Sequence, residues 1–373
     1  MNFQDFVGNP RAVESLRRLL AAERLPQALL FAGPRGVGKF TLATLLARAA
    51  NCQQTPGEIC GRCGNCRAMA ALDDLRPLLE AARRERGSAS PEDVPLILRP
   101  HPCVTVLVPD TDYIRVSQMR YVVREAYAMP TGGRRNFFIF DQAERLRRDF
   151  ADVLLKVLEE PPPLTTLILT TDAPFELRPT VRSRCVPLWF APLEHGEITA
   201  YLAKQRPEAK KADRELAAAV AAGSLGTALT LDIARYRELR GFALQVVRAS
   251  LGQGVGAQQL FEATAALAGK ASRGEDREQE TEGRKGFEFS LDILYSLLTD
   301  IVYLKVDVPD AGLRHPDLRA ELRTLGQKAN WPGLSQAVEK LDWIWSQQRR
   351  NINRQLALDA WATVAPREMA SSR

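Results

Sequence analysis

Ala28-Leu29-Leu30-Phe31-Ala32-Gly33-Pro34-Arg35-Gly36-Val37-Gly38-Lys39-Phe40-Thr41 is the stretch that decides the fold. Its first five residues form a continuous apolar run, short enough for a strand and apolar enough to be buried on both faces. Gly33-Pro34 stops the run, a glycine-rich turn follows, and from Lys39 to about Ala50 the pattern is helical. The turn nearly matches G-x-x-x-x-G-K-[ST]. In that loop backbone N–H groups cradle phosphates, the lysine reaches the terminal ones, and the hydroxyl holds Mg²⁺. Gly33, Gly36, Gly38 and Lys39 are in place, but the hydroxyl position is Phe40. Thr41 is no simple substitute, because consecutive helix residues point about 100° apart. Two readings stand, a weakened ATP site and a vestigial one, and both disfavour hydrolysis.

Outward from this stretch, helices and strands alternate. Residues 10 to 24 carry Val13, Leu16, Leu19 and Leu20 on one helical face. Strands are expected at Val104 to Val108, Asn136 to Phe140, Leu167 to Thr171 and Val186 to Phe190. Helices are expected at 67 to 86, 115 to 128 and 147 to 160, the last closed by Pro161-Pro162-Pro163, with a loop at Gly87 to Pro91. This alternation argues for an α/β fold, a parallel sheet covered on both sides. Asp141 ends an apolar strand, where a phosphate-loop protein places its magnesium-binding acid. The following residue is Gln142, a poor general base, and Glu144 is positioned to cap the next helix.

Cys52, Cys60, Cys63 and Cys66 give C-x7-C-x2-C-x2-C. Four thiolates suit tetrahedral Zn²⁺, and the short hops let one turn supply several ligands. An iron–sulfur cluster is the rival, but Arg67-Ala68-Met69 stand where a ferredoxin run places its next cysteine and proline. A closed four-cysteine site is structural. Cys103 and Cys185 read as small core residues.

The 373 residues are 45% hydrophobic and 26% charged, which excludes disorder over most of the length. No apolar run approaches the roughly 20 residues that span a bilayer. Met1 to Asp5 lack the basic and apolar regions of a signal peptide, so a cytoplasmic protein is expected, with its cysteines reduced. Lys+Arg of 51 against Asp+Glu of 45 gives a net charge of +6, compatible with polyanions but weak evidence for them. After Pro192 the strand signal ends. Helices are expected within 194 to 234, 240 to 267, 288 to 304 and 333 to 364, and Ser272 to Gly286 reads as a polar loop or linker. The expected domains are 1–192 with the zinc module at 52–66, a small helical unit at 193–236, and a helical C-terminal domain at 237–373.

The ordered set of motifs resembles the bacterial clamp-loader AAA+ family. It runs from Phe6-Val7-Gly8 through Arg24-Leu25-Pro26-Gln27-Ala28, the phosphate loop and the four cysteines. It continues through Leu154-Leu155-Lys156-Val157-Leu158-Glu159-Glu160-Pro161-Pro162, Thr170-Thr171-Asp172 and Val181-Arg182-Ser183-Arg184-Cys185, the last carrying the SRC signature. Asn351 to Asp359 is similar to the family's final helix. The resemblance implies a ring in which Arg184 reaches the ATP site of a neighbour and neutralises charge developing during hydrolysis; the alternative is an internal salt bridge. It places Thr170 or Thr171 at the first sensor, alongside Gly33, Gly36, Gly38, Lys39, Phe40, Thr41 and Asp141 in a degenerate nucleotide site. The final domain would be an oligomerisation collar.

Gly223-Ser224-Leu225-Gly226 matches a second-sensor turn in which hydrolysing relatives carry arginine; here Gly226 stands in its place. Phe40, Gln142 and Gly226 each remove a different part of the hydrolytic apparatus. They narrow the resemblance from gamma/tau motors to the delta-prime type. That type implies an accessory subunit of the polymerase III holoenzyme, with gamma/tau and delta subunits as partners in a pentameric ring. Through that complex it would act on the sliding clamp and primed DNA, with structural Zn²⁺ and little or no ATP binding. Asp152 departs from the family's asparagine, and the segment between Cys66 and His101 is longer than the family pattern. That extra piece reads either as a partner-binding helix or as a neutral surface insertion. Arg115, Arg120, Arg124, Arg134 and Arg135 read either as a DNA-tracking surface or as a solvated face. The stripe Leu291, Leu294, Leu298 and residues Trp343 to Trp345 read as core or as interface.

Overall fold

The computed structural model describes residues 1–146, 151–250, 255–269, 277–307, 312–347 and 352–369. The chain divides into two compact units, one of residues 1–201 with 223–227, the other of 202–222 with 228–373.

The first unit is an α/β domain. Its helices are α1 (Pro10–Ala21), α2 (Lys39–Ala50), α3 (Gly64–Ala68), α4 (Arg76–Arg86), α5 (Val116–Ala126), α6 (Ala151–Glu159), α7 (Pro179–Arg182) and the start of α8 (His195–Gln205). Its strands are β1 (Ala28–Ala32), β2 (Leu98–His101), β3 (Val104–Leu107), β4 (Asn136–Phe140), β5 (Thr165–Thr171) and β6 (Val186–Trp189). They form one sheet in the order β2-β3-β4-β5-β1-β6. All neighbours are parallel except β2 and β3. β2 is an edge strand that the apolar pattern does not announce, since Arg99-Pro100 interrupts it. Alternate residues of β1, β4 and β5, among them Leu30, Phe138, Phe140 and Leu169, pack against Met119 and Val122 of α5 and Leu154 and Val157 of α6. Their opposite faces, Leu29, Phe31, Phe137 and Ile168, are equally buried, as continuous apolar runs require. At the other edge β6 leaves Val186 and Trp189 exposed.

The extra segment between the cysteines and β2 is folded. It contains a 3-10 turn (Met69–Asp73) and α4, so the expected helix over 67 to 86 is broken near Asp74. Asp110, 4% exposed, anchors α4: Arg86 Nη1 and Nη2 reach its carboxylate at 2.5 and 3.2 Å, and Arg115 Nε at 3.3 Å.

The second unit is all helix: α9 (Lys211–Val220), the end of α10 (Leu225–Thr230), α11 (Ile233–Ser250), α12 (Ala257–Ala268), α13 (Arg277–Lys305), α14 (Arg319–Lys328), α15 (Trp331–Gln347) and α16 (Arg354–Met369). Two expectations change. The polar run is not all linker, because α13 begins at Arg277, while residues 272–276 lie outside the described residues. The long final helix is two, α15 and α16. Leu291, Leu294 and Leu298 are buried in the unit's own core, as is Ile344, while Trp343 and Trp345 are exposed. A buried polar chain ties this unit together: Tyr236 Oη donates to His315 Nε2 at 2.6 Å, and His315 Nδ1 donates to Asp300 Oδ2 at 2.8 Å. Among the described residues no helix is long and apolar enough to cross a membrane.

Candidate functional site

The carboxyl ends of β1, β4 and β5 lie side by side, so the fold brings the phosphate loop, Asp141 and Thr170-Thr171 to one rim. The loop is closed on itself. Lys39 is 8% exposed, and its Nζ donates to the Gly33 and Pro34 carbonyls, both at 2.6 Å. Gly36 has a left-handed φ of 73°, and a Cβ there would sit 2.1 Å from Ser224 Oγ. Gly226 N donates to Gly36 O at 2.9 Å. The turn that would carry a second-sensor arginine therefore presents backbone to the loop. Phe6 packs against Gly38, where a Cβ would meet its ring at 2.8 Å.

The other rim residues hold one another. Asp141 Oδ1 accepts from the Thr170 hydroxyl at 2.8 Å, and Thr171 Oγ1 accepts from Ala173 N at 3.1 Å. Gln142 is left-handed, with φ 56°, and points no carboxylate at the rim. Glu144 lies in a short 3-10 turn (Ala143–Arg145), and the start of the helix it is expected to cap falls outside the described residues. Burial, with Asp172 nearby, pushes the Glu144 carboxyl above its ordinary value although Thr171 opposes this. Burial also pulls Lys39 below the usual lysine range, against the attraction of Asp172, Glu144 and Asp141. Phe40 and Thr41 start α2, both half-buried. The rim thus keeps a lysine and three carboxylates but has neither a hydroxyl in the metal position nor a glutamate after Asp141.

The four cysteines converge. Cys52, Cys60, Cys63 and Cys66 place their Sγ atoms within 4.8 Å of one another. Two sulfurs bound tetrahedrally at about 2.3 Å lie roughly 3.8 Å apart; Cys60 and Cys66 Sγ are separated by 3.9 Å. Backbone N–H groups of Thr55, Cys63 and Cys66 point at the sulfurs of Cys52, Cys60 and Cys63 at 3.4, 3.3 and 3.4 Å. Burial raises Cys52, but hydrogen bonds from Thr55 win and bring it to about 6. Cys66 is pushed up to about 12, by burial first and then by crowding from the other three sulfurs. A metal cation would relieve that crowding, and the donor set could hold one with no position left open. Cys103 and Cys185 are buried apart from this group.

Behind the cysteines lies a polar network that the sequence did not announce. Asn65 Nδ2 donates to Asn51 O at 2.9 Å and Gly132 O at 2.7 Å. Asn51 Oδ1 accepts from the backbone of Arg134 and Arg135 at 2.8 and 3.0 Å. Cys103 N donates to His101 Nδ1 at 3.1 Å, so the proton on Nε2 goes to Asn65 Oδ1, also at 3.1 Å. Partners 36 positions apart leave no local pattern to read.

A family profile described as "DNA polymerase III, delta subunit" matches residues 8–194, half of the chain. The chain belongs to the DNA polymerase III delta subunit family. A second profile, "DNA polymerase III, delta subunit, C terminal", matches residues 284–365. The DNA polymerase III subunit delta' of Pseudomonas aeruginosa is 28% identical over 90% of this chain and 92% of its own. That of Bacillus subtilis is 30% identical over 52% and 51%. The tau/gamma subunit of Haemophilus influenzae is 30% identical over 54% of this chain, which spans only 25% of that relative's length.

In this delta-subunit family chain the SRC arginine is engaged. Arg184 Nη2 lies 2.7 Å from Glu159 Oε1, and its Nη1 donates to Thr180 O at 3.0 Å. Of the five basic residues singled out, Arg115 pairs with Asp110 and Glu92, Arg124 with Glu125, and Arg135 bonds Thr165 O and Thr166 Oγ1. Arg120 and Arg134 remain exposed. The side chain of Asp152 lies outside the described residues.

Proposed function

We propose that the chain is a non-hydrolysing, delta-prime-like clamp-loader subunit. It would complete a ring with gamma/tau and delta subunits, probed most simply as a pentamer, and help place a sliding clamp on primed DNA in the cytoplasm. Arg184 would serve a neighbour's ATP site, where a guanidinium offsets charge developing on the phosphates. The carrying observation is the rim itself. Lys39 is spent on the loop's own carbonyls, Gly226 backbone lies on Gly36, and Phe40 and Gln142 stand where hydrolysis needs a metal ligand and a base. The near full-length match to the Pseudomonas delta' relative supports the same reading.

On this reading Gly33, Gly36, Gly38, Lys39, Phe40, Thr41, Asp141 and Thr171 are a degenerate nucleotide site with weak or no ATP affinity. Cys52, Cys60, Cys63 and Cys66 hold Zn²⁺ for structure, favoured over an iron–sulfur cluster by four sulfurs within 4.8 Å of one another and one pair at 3.9 Å, close enough to share a single ion. Residues 1–192, 193–236 and 237–373 act as base, lid and collar. The test is ring ATPase. Rings assembled with Arg184→Ala should hydrolyse ATP more slowly while the variant folds normally; unchanged ring turnover would remove the role.

A further inference from the structure

Glu159 is the last residue of α6, and Pro161-Pro162-Pro163 just beyond prevents the helix from running on. A carboxylate in that position faces the negative end of the helix dipole and favours a nearby cation. Arg184 supplies one, 2.7 Å away. The same guanidinium donates to Thr180 O of α7 at 3.0 Å, a carbonyl it shares with the Ser183 hydroxyl at 3.2 Å. Arg184 is therefore gripped at Nη1 and Nη2 by two helix ends. Its Nε–H and one proton on each Nη have no partner among the described residues.

We propose that Glu159 is a positioning residue for Arg184: it fixes the direction of the guanidinium so that the remaining N–H groups face a neighbouring subunit's phosphate. The inference rests on the reading of Arg184 as acting in trans. The ion pair is not there for stability, since the side chains are 35% and 51% exposed and such pairs contribute little to folding. What it removes is the rotamer freedom of a long side chain before the phosphate arrives, and pre-orientation of that kind accelerates a reaction.

The test uses rings reconstituted from full-length chains, carrying wild type, E159Q, E159D, R184A or E159Q/R184A. Assembly is checked by size-exclusion chromatography, and kcat and KM for ATP are measured. E159Q should cut the Arg184-dependent share of kcat about ten-fold, with KM and assembly unchanged. E159D, which keeps the charge, should recover most of that share, and E159Q should add nothing to R184A. Full activity of E159Q alongside an impaired R184A overturns the positioning role alone. An effect of E159Q that persists on the R184A background also overturns it, because the damage would then not pass through the arginine. Normal turnover by R184A overturns the trans reading and the positioning role with it.

Discussion

His101 shows how a single tautomer can hold a module in place. Its Nδ1 must stay unprotonated to accept the Cys103 N–H, and burial, followed by the Arg99 charge, holds its pKa below the usual 6.5. The unfolded chain takes up that proton near pH 6.5 and the folded chain resists it, so the contribution to stability is full above about 6.5 and is lost as pH falls below it. Urea unfolding with zinc in excess should show wild type losing more stability than His101→Gln between pH 7.5 and 5.5. At pH 7.5 the variant should be weaker by about 1–2 kcal/mol; equal acid slopes would refute this account. Departures from a linear motif are easy to read, which is why Phe40, Gln142 and Gly226 were legible. The internal salt bridge of Arg184 stood among the alternatives, but its partner Glu159 was not legible, nor was the His101–Asn65 pair, because only folding brings such distant positions together.

Elements were legible where burial on both faces imposes a continuous apolar run, as in β1, β4 and β5. β2 was hidden because an antiparallel edge strand tolerates Arg99 and Pro100. The start of α13 was hidden because its charges suggested a solvated loop, although Arg, Glu and Gln are also good helix formers. Two elements invite tests. Removing one thiolate should dismantle the cysteine loop without the sheet. Metal analysis should find about one zinc per chain and almost none in Cys63→Ser, with a lower Tm and a far-UV spectrum that keeps its strand signal. Retention of zinc by that variant would contradict a four-cysteine site. For α4 the anchor is Asp110. Asp110→Asn leaves Arg86 and Arg115 facing a neutral amide and should cost about 2 kcal/mol in denaturant unfolding. An unchanged midpoint would show that α4 is held by other contacts.

At the scale of the whole molecule, a self-satisfied phosphate loop predicts little chemistry from the chain alone. Purified protein with Mg²⁺ and ATP should show no turnover above buffer, and Lys39→Ala should leave that baseline unchanged. Turnover that Lys39→Ala abolishes would restore a motor reading. The free edge of the sheet carries one more consequence. Phe190 N donates to Ala32 O, so by strand alternation Val186 and Leu188 face β1, while Pro187 and Trp189 turn their backbone outward. Pro187 has no N–H to offer on that open side. A stray β-segment laid along this rim would find its hydrogen-bond ladder cut short, so the exposed Val186 and Trp189 can be displayed with little risk of strand-by-strand aggregation.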